Sequence, residues 1–227
     1  MKTTAIIVAA GTGSRFKSDT PKQFLEINGK PVIVHTLERF QAAPSVDSIV
    51  LVVSTEHANR FDSNVVSKLE KVIAGGLTRA HSVLNGLKTV DPETEIVAVH
   101  DGARPLVTVD EIEATIAKAK ETGAACLTAP VTDTIKSIRG GEIAATLDRE
   151  KLRRALTPQV FKIEVLKSAF EGVDLNDSCT DECYLVEKLG HPIAIVDGSP
   201  RNIKITHSED LILARALLAQ EKLATGS

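Results

Sequence analysis

The sequence has few aromatic residues, and this shortage limits what can fill its interior. Of 227 residues only 3% are Phe, Tyr or Trp, tryptophan is absent, and methionine occurs once. Hydrophobic residues still make up 43% of the chain, so Val, Ile, Leu and Ala must form the core of a chain long enough to bury one. Small and branched side chains of this kind suit parallel strands that are buried on both faces.

Long runs of one character are also missing. Lysine and arginine number 27 against 30 aspartates and glutamates, for a net charge of -3 without a run of like charges. This balance argues against a broad basic face for nucleic acid, so any cationic group must act locally. Because no apolar stretch is long enough to span a bilayer and no secretory leader is visible, we expect a soluble cytoplasmic protein without membrane contacts.

Cysteine is scarce as well. The chain has three, Cys126, Cys179 and Cys183, which cannot all pair with one another, so free thiols are the expectation in a protein that is not secreted. The spacing of Cys179 and Cys183 would place both on one helical face, with His191 further along the chain. A structural zinc site needs four ligands, however, and we favour free thiols.

What the sequence does contain is an alternation of short apolar segments and helical patterns. The segments are β-branched or small and are bounded by Gly, Pro, Asp or Ser, which is typical of buried strands: residues 4–9, 48–53, 72–74, 96–99 and 124–127. Between them, apolar residues recur at the helical spacing: positions 33, 37 and 40, positions 83, 87 and 90, and positions 112, 116 and 119. The alternation predicts an α/β fold with a mostly parallel sheet and crossover helices.

The pattern changes after residue 130. Residues 133–148, D-T-I-K-S-I-R-G-G-E-I-A-A-T-L-D, form two strand-like halves around Gly140 and Gly141, which is typical of a hairpin. Both halves are too polar for the core. We therefore expect one domain spanning residues 1–227 with an inserted arm, at about 131–156, that seeks a partner surface.

Regular elements return in the last third of the chain. Apolar patterns predict helices at 164–170 and 181–189 and strands at 193–196 and 202–206. Ser208 is expected to begin the last helix, because Glu209 and Asp210 in its first turn suit the positive end of the helix dipole.

A glycine turn follows the first predicted strand, at the strand end where open α/β sheets bind their ligands. Gly11 and Gly13 would let backbone N–H groups approach a phosphate closely. Arg15 and Lys22 follow and could supply the cations that a triphosphate needs. The alternative is an ordinary β–α turn with solvated charges.

Two familiar phosphate motifs do not fit this turn. The dinucleotide fingerprint would need a third glycine where Phe16 stands, and a P-loop would need Ser or Thr after Lys30, where the chain has Pro31. Any phosphate site here must therefore use another arrangement.

Polar residues also follow the strand at 96–99, in the segment H-D-G-A-R-P. Asp101 could hold Mg²⁺ and Arg104 a second anionic group, or the two could form a buried ion pair that stiffens the loop. In G-G-L-T-R-A-H-S, residues 75–82, backbone amides and Ser82 could contact a nucleobase, or Thr78 could simply cap a helix. Lys204, within N-I-K-I-T, is expected to be solvated by strand alternation alone.

Eight segments together resemble a known family. In family order they are V-A-A-G-T-G-S-R-F, P-K-Q-F, G-G-x-x-R, H-D-G-A-R-P, D-T-I-K, T-P-Q-V-F, C-T-D-E and N-I-K-I-T, and they extend from Val8 to Thr206. The chain resembles the 2-C-methyl-D-erythritol 4-phosphate cytidylyltransferases of non-mevalonate isoprenoid biosynthesis. The resemblance implies a Rossmann-like nucleotidyltransferase fold with helices on both faces of a twisted sheet and a projecting β-hairpin arm. It also implies CTP with Mg²⁺ or another divalent cation, and a homodimer in which each arm reaches the partner's active site.

The resemblance also implies roles for individual residues. Arg15, Lys22 and Lys204 would be catalytic, the first two on the triphosphate and the third on the α-phosphate. The positions that match the cytidine site are Ala9, Ala10, Gly76 and Ser82, joined by Gly11, Gly13 and Asp101 as further CTP contacts. Those that match the polyol phosphate site are Asp101 and Arg104 with Thr134 and Arg149 of the partner's arm. Asp101 is also the candidate metal ligand, secondary to the CTP phosphates.

Three positions depart from the family pattern. His81 stands where relatives often have Asp, Thr78 where they often have Glu, and Gly102 where Ala is usual. We expect these changes to alter the rim of the pocket more than its chemistry.

Three other functions are alternatives to this one. A sister group acts on ribitol 5-phosphate, but the arm segment A-P-V-T-D-T-I-K is more similar to the methylerythritol group. A non-catalytic nucleotide-binding protein would not need cations and acceptor-site residues together, as the chain has them in Lys22, Asp101, Arg104 and Lys204. An NAD-dependent dehydrogenase is disfavoured by Phe16.

Overall fold

The chain folds around a mixed sheet in a computed structural model that describes residues 1–11, 16, 21–58, 61–173, 175 and 179–225. The strands of this part of the chain are β1 (Lys2–Ala9), β2 (Glu26–Ile27), β3 (Lys30–Pro31), β4 (Ser48–Val53), β5 (Leu69–Ala74), β6 (Thr94–Asp101), β7 (Ala124–Pro130), β8 (Lys136–Arg139), β9 (Glu142–Thr146), β10 (Arg153–Lys162) and β11 (Ala194–Asp197). Its α-helices are α1 (Val32–Ala42), α2 (Thr55–Ala58), α3 (Arg79–Leu87), α4 (Val109–Thr122), α5 (Ile163–Phe170), α6 (Glu182–Lys188) and α7 (Ser208–Thr225).

The main sheet has the strand order β11-β7-β10-β6-β1-β4-β5. β1 pairs in parallel with β4 and β6, β4 with β5, and β7 with β11, whereas β10 runs antiparallel to both of its neighbours. The carboxyl ends of β1, β4, β5 and β6 therefore meet at one edge of the sheet. Crossover helices separate the parallel strands in sequence, as the alternation predicts.

Helices cover both faces of the sheet, and aliphatic side chains form most of the core. Leu37 and Phe40 of α1 pack with Ile112 and Ile116 of α4 on one face. The opposite face buries apolar residues of α3, α5 and α6: Val83, Leu87, Leu166, Leu185 and Val186. Of the described helices, none is both long enough and apolar enough to cross a membrane.

The predicted strands of the first 130 residues are all present as β1, β4, β5, β6 and β7. The strand β10 was not predicted. Its ladder with β7 shifts register between Ala155 and Gln159, around Pro158, because proline has no N–H to donate and is tolerated in a sheet at such irregularities. This interrupted pattern hides a strand whose second half is buried.

The prediction of a strand at 202–206 is wrong. In the structure this segment is a loop, and Ile205 N–H donates to the carbonyl of Ala103 at 2.8 Å instead of joining a strand ladder. The loop leads into α7, where Ser208 is the first residue, as predicted. Asp210 accepts backbone hydrogen bonds from Thr206 and His207, which caps the start of the helix.

The polar segment after β7 forms the predicted hairpin of β8 and β9 around Gly140 and Gly141. Both glycines have positive φ, at 60° and 86°, a backbone conformation that glycine adopts without strain. All residues of β9 are exposed, and Ile138 and Ile143 remain 75% and 68% exposed. The hairpin therefore adds little to the core of its own chain.

Candidate active site

A cleft of about 440 Å³ opens at the carboxyl edge of the main sheet. It lies beyond the ends of β1 and β6, beside the start of α3 and the 202–206 loop. Eight of the predicted site residues line it: Ala9, Ala10, Gly11, Lys22, Gly76, Ser82, Asp101 and Lys204. The topology thus brings together residues as distant in the sequence as Ala9 and Lys204.

The turn after β1 forms one wall of the cleft. Gly11 is exposed there, whereas Gly13 and Arg15 lie outside the described residues. Gln23, which is buried, donates from its side-chain amide to the carbonyls of Ala9 at 2.7 Å and Gly11 at 3.3 Å. Gln23 was not predicted as a site residue, although it belongs to the P-K-Q-F motif, and it holds the end of β1 in place.

The opposite wall of the cleft is the backbone before α3, where two glycines pack closely against their neighbours. A Cβ atom at Gly75 would lie 2.4 Å from Cβ of Ala10, and one at Gly76 would lie 2.5 Å from Cβ of His81. Only glycine permits backbone contacts this close. Ser82 Oγ accepts a hydrogen bond from the N–H of Gly76 at 3.1 Å, which orients the backbone of this wall.

Thr78 and His81, two of the departures from the family pattern, interact with each other beside these glycines. Thr78 is the N-cap of α3, as the structural alternative predicts, and its Oγ1 lies 2.8 Å from Nδ1 of His81. Gly102, the third departure, has little room for an alanine side chain. A Cβ atom would lie 2.6 Å from Ile33 Cδ1 and 2.9 Å from Ala9 Cβ.

Asp101, at the end of β6, is the centre of a cluster of charges. Its Oδ1 lies 3.0 Å from Arg79 Nε, and its Oδ2 lies 3.2 Å from Arg104 Nε and 3.0 Å from Lys204 Nζ. Asp101 is 6% exposed. The interpretation of Asp101 and Arg104 as an ion pair is therefore correct as far as it goes, but the pair is part of a larger group.

Lys204 is not the solvated surface lysine that strand alternation would predict. Its side chain is 35% exposed and is directed into the cleft by the ion pair with Asp101. Lys22, on the other side of the loop, donates to the carbonyl of Ile205 at 2.6 Å. The 202–206 loop therefore brings two lysine side chains to one cleft.

The charges of this cluster are stabilised by one another. Burial alone would raise the pKa of Asp101, but the positive charges of Arg79, Lys204 and Arg104 outweigh it and hold that pKa well below its usual value. Burial also disfavours the charge of Arg79, yet Glu182 and Asp101 raise its pKa further above the ordinary value. Both groups stay ionised at neutral pH.

The residues of the cleft do not fit a magnesium ion held by the protein. Both oxygens of Asp101 are engaged by cations, which compete with a metal for the carboxylate. In the ranges that the structure describes, no three His, Cys, Asp or Glu side chains are grouped as a metal site would require. Asp101 is better suited to organise cations than to ligate a metal.

His100, next to Asp101, is buried and neutral. Its Nδ1 lies 3.0 Å from the hydroxyl of Thr157, and its Nε2 lies 3.2 Å from the carbonyl of Arg104, an arrangement that satisfies a neutral imidazole. Burial lowers the pKa of His100 to about 3. The imidazole is thus a structural support of the loop behind the cleft.

The two predicted residues of the arm lie apart from the cleft of their own chain. Thr134 and Arg149 are exposed and do not line it. Arg149 Nη1 donates to the carbonyl of Thr132 at 2.9 Å, so its contact in the structure is local.

Arg79 and Glu182 were also not predicted as site residues. Arg79 lines the cleft and contacts Asp101 and Glu182, with its Nη1 at 2.6 Å from Oε1 of Glu182. Both residues stand within motifs of the family pattern, G-G-x-x-R and C-T-D-E. That position in a motif was the available signal, because neither spacing nor polarity singles them out.

Comparisons with known proteins agree on one family. The family model for 2-C-methyl-D-erythritol 4-phosphate cytidylyltransferase matches residues 3–220. The enzyme of that name from Syntrophus aciditrophicus is 42% identical over 228 residues, covering 97% of each chain. The one from Desulforamulus reducens is 42% identical over 221 residues, covering 94% of each chain.

Solved structures give the same result. The 4-diphosphocytidyl-2C-methyl-D-erythritol synthase of Anaerococcus prevotii superposes with a TM-score of 0.83 at 28% identity, covering 96% of each chain. The cytidylyltransferase of Thermus thermophilus gives a TM-score of 0.77 at 30% identity, covering 96% of this chain and 100% of its own. Both superpositions thus cover nearly the whole chain.

Proposed function

The chain belongs to the 2-C-methyl-D-erythritol 4-phosphate cytidylyltransferase family, and from this premise we propose how its cleft performs the reaction. The enzyme transfers CMP from CTP to 2-C-methyl-D-erythritol 4-phosphate. The products are 4-diphosphocytidyl-2-C-methyl-D-erythritol and pyrophosphate. The reaction serves isoprenoid precursor biosynthesis by the non-mevalonate route.

The observation that supports this mechanism most is that Lys22 and Lys204 line the same cleft as the glycine backbone at Gly76. A triphosphate needs several cations, and a nucleobase needs a flat, narrow space with backbone donors and acceptors. The cytosine would lie between Ala10 and Gly76, next to Ser82. The phosphates would then extend toward Lys22 and Lys204, with Arg15 as a further proposed contact.

The acceptor would bind on the side of Asp101 and Arg104. Arg104 is 11% exposed in its side chain and is held by Asp101 and by the carbonyl of Asn202 at 2.9 Å. It is thus preorganised as a phosphate ligand. A phosphate oxygen of the acceptor would attack the α-phosphorus of CTP in line with the departing pyrophosphate.

No strong general base is needed for this step, because the attacking phosphate is already ionised. Catalysis rests on positioning and on neutralising the charge that gathers at the α-phosphate and on the leaving pyrophosphate. Lys204 is the proposed cation for the α-phosphate and Lys22 for the phosphates that leave. His100, buried and neutral, takes no part in proton transfer.

A divalent cation, expected to be Mg²⁺, is proposed to arrive bound to the triphosphate of CTP. This follows from the engagement of Asp101 by three cations, which leaves that carboxylate unsuited to hold a metal. When bound, such an ion would offset part of the phosphate charge.

We further propose that the protein is a single-domain homodimer in which the β8–β9 hairpin serves the cleft of the partner. Thr134 and Arg149 would then contact the acceptor in that cleft. The exposed apolar side chains of the hairpin, Ile138 and Ile143, support this proposal because such residues are usually covered by a partner. The free thiols of the described cysteines are consistent with a cytoplasmic location.

The test is pyrophosphate release in the presence of CTP and Mg²⁺, with methylerythritol 4-phosphate and ribitol 5-phosphate supplied in separate reactions. Release with the first acceptor alone is the expected result. Release mainly with ribitol 5-phosphate would overturn the choice of acceptor. Absence of release with either, despite measurable CTP binding, would favour a non-catalytic nucleotide-binding protein.

A further inference from the structure

Glu182 is a buried carboxylate that the mechanism above does not use. It lies in the first turn of α6 and is 1% exposed. Its Oε1 accepts a hydrogen bond from Arg79, whereas its Oε2 has no hydrogen-bond partner among the described residues. The side chain does not line the cleft.

Stability alone is a weak reason for a carboxylate in such a place. Burial disfavours the charged form and raises the pKa of Glu182, even though Arg79 opposes the effect. A buried ion pair is often no more stable than apolar residues of the same volume. A buried ion pair is therefore better explained by what it positions than by what it stabilises.

What Glu182 contacts is the guanidinium of Arg79, and this guanidinium is held at two different nitrogens. Nη1 lies 2.6 Å from Glu182, and Nε lies 3.0 Å from Oδ1 of Asp101. A planar guanidinium bound at two edges cannot rotate without losing one of its partners. The other oxygen of Asp101 carries Arg104 and Lys204.

We propose that Glu182 is a positioning residue for the transfer reaction. By fixing Arg79, it fixes the carboxylate of Asp101. That carboxylate in turn aligns Arg104 and Lys204. The contacts run from α6 through the start of α3 to the end of β6 and the 202–206 loop. The inference rests on the proposed function for the roles of Arg104 and Lys204. Its physical part, that Glu182 immobilises Arg79, does not depend on that function.

The first experiment examines that physical part by NMR on the full-length protein labelled with ¹⁵N-arginine. The Nε–H signal of Arg79 is assigned by its loss in Arg79→Lys, and its exchange with water is compared in wild type and Glu182→Gln. Glutamine keeps the shape and one acceptor oxygen but removes the charge. We expect at least about tenfold faster exchange of this Nε–H in Glu182→Gln. The weaker hydrogen bond at Nη1 would let the guanidinium rotate and release Nε from Asp101.

The matched control is Glu113→Gln. Glu113 is a carboxylate that accepts a hydrogen bond from the backbone of Ser45 at 2.9 Å and does not line the cleft. This variant should leave the Arg79 signal and turnover unchanged. Equal exchange of the Arg79 Nε–H in wild type and Glu182→Gln would overturn the proposal.

The second experiment measures CTP affinity and turnover in the same variants. We expect Glu182→Gln to lower kcat about tenfold while the Kd for CTP changes less than about twofold, because misalignment of Arg104 and Lys204 affects transfer more than binding of cytidine. A kcat within about twofold of wild type, or an equal loss in Glu113→Gln, would contradict the proposal. If wild type itself releases no pyrophosphate, the proposed function fails, while the arginine signal still decides whether Glu182 fixes Arg79.

Discussion

The cleft and the β8–β9 hairpin are both rich in polar residues, but they hold those residues in opposite ways. In the cleft, Asp101 is 6% exposed and its two oxygens meet three cations within 3.2 Å. In the arm that carries this hairpin, Arg149 and all of β9 are exposed, and Arg149 contacts the carbonyl of Thr132 in the same arm. Two parts of one proposed active site thus differ in how far the chain organises them by itself.

This difference indicates where each part obtains its order. The cleft cations are preorganised by a buried carboxylate, which requires a folded sheet to bring distant segments together. Thr134 and Arg149 in the arm have no such support within their own chain. If they act in catalysis, a second chain must hold them in place. Substitutions in the cleft should therefore affect stability and activity, whereas those in the arm should affect activity alone.

The largest expected effect is on stability, at the centre of the cleft. Asp101→Asn would leave Arg104 and Lys204 without their carboxylate, so the free energy of unfolding should fall by about 3 kcal/mol. Urea denaturation monitored by circular dichroism would measure it. The control is Asp133→Asn, at an exposed position before the hairpin, which should change stability by less than about 0.5 kcal/mol. Equal losses of stability in the two variants would contradict the view that the cleft is organised by its own chain and the arm is not.

The next effect is on turnover. Lys204→Ala should lower kcat roughly 100-fold, a typical loss for one preorganised electrostatic contact. Steady-state pyrophosphate release with saturating CTP and acceptor would measure it. Lys118→Ala, which removes a partly exposed lysine paired with Glu121 on α4, serves as the control and should be as active as wild type. Wild-type turnover in Lys204→Ala would contradict the assignment of the α-phosphate contact.

A smaller effect concerns the pH dependence of stability behind the cleft. The pKa of His100 is about 3 in the folded protein against an ordinary value of 6.5, so the unfolded chain takes up a proton first as pH falls. His100 therefore contributes its full stability above about pH 6.5 and loses about 1.4 kcal/mol per pH unit below it, or about 2 kcal/mol by pH 5.

Urea denaturation between pH 5 and 7 would measure this slope in wild type and in His100→Gln. The variant should show a slope lower by about 1.4 kcal/mol per pH unit. His207→Gln, at an exposed histidine, should keep the wild-type slope. Identical slopes in wild type and His100→Gln would show that the buried imidazole accepts a proton without unfolding.

The smallest expected effect is in the arm, next to the hairpin. Arg149→Ala should leave the unfolding free energy nearly unchanged, because the side chain is exposed, and should raise the KM for the acceptor about tenfold through the loss of a charged hydrogen bond. Steady-state kinetics with varied acceptor would measure it. A loss of stability without a change in the KM for the acceptor would show that Arg149 supports the fold of its own chain and does not contact the acceptor.

Mixing two variants sharpens this last comparison. Lys204→Ala has a defective cleft and an intact arm, whereas Arg149→Ala has the reverse. If arms exchange between protomers, random pairing restores one intact site in half of the dimers, or about a quarter of the wild-type rate at low acceptor concentration. A rate equal to the mean of the two variants after subunit exchange would show that each arm serves its own chain.

Much of the fold was predictable from local patterns. The apolar segments at 4–9 and 96–99 became neighbouring strands β1 and β6, and the two-glycine turn at 140–141 became the end of a hairpin. These features depend on side-chain periodicity and on residues with special backbone freedom, which are properties of short stretches of sequence. β10 was missed because Pro158 interrupts the pattern at a register shift.

The candidate site was predictable where a motif marked it and not where contacts created it. Gly76 and Lys22 could be named from the sequence, with support from a family resemblance. The role of Glu182 could not, because nothing near it in sequence indicates that Arg79 and Asp101 lie beside it. Lys204 was expected on a strand, but its segment is a loop whose backbone bonds to Ala103.

The sequence by itself determined the alternation of strands and helices, the aliphatic core and the position of the turns, because each follows from the spacing of a few neighbouring residues. The tertiary structure decided which charges meet. Asp101 and Glu182 are far apart in the sequence. Both contact Arg79 only because the order of strands places the end of β6 next to α3 and α6. That order is set by packing over the whole sheet, which no single segment encodes.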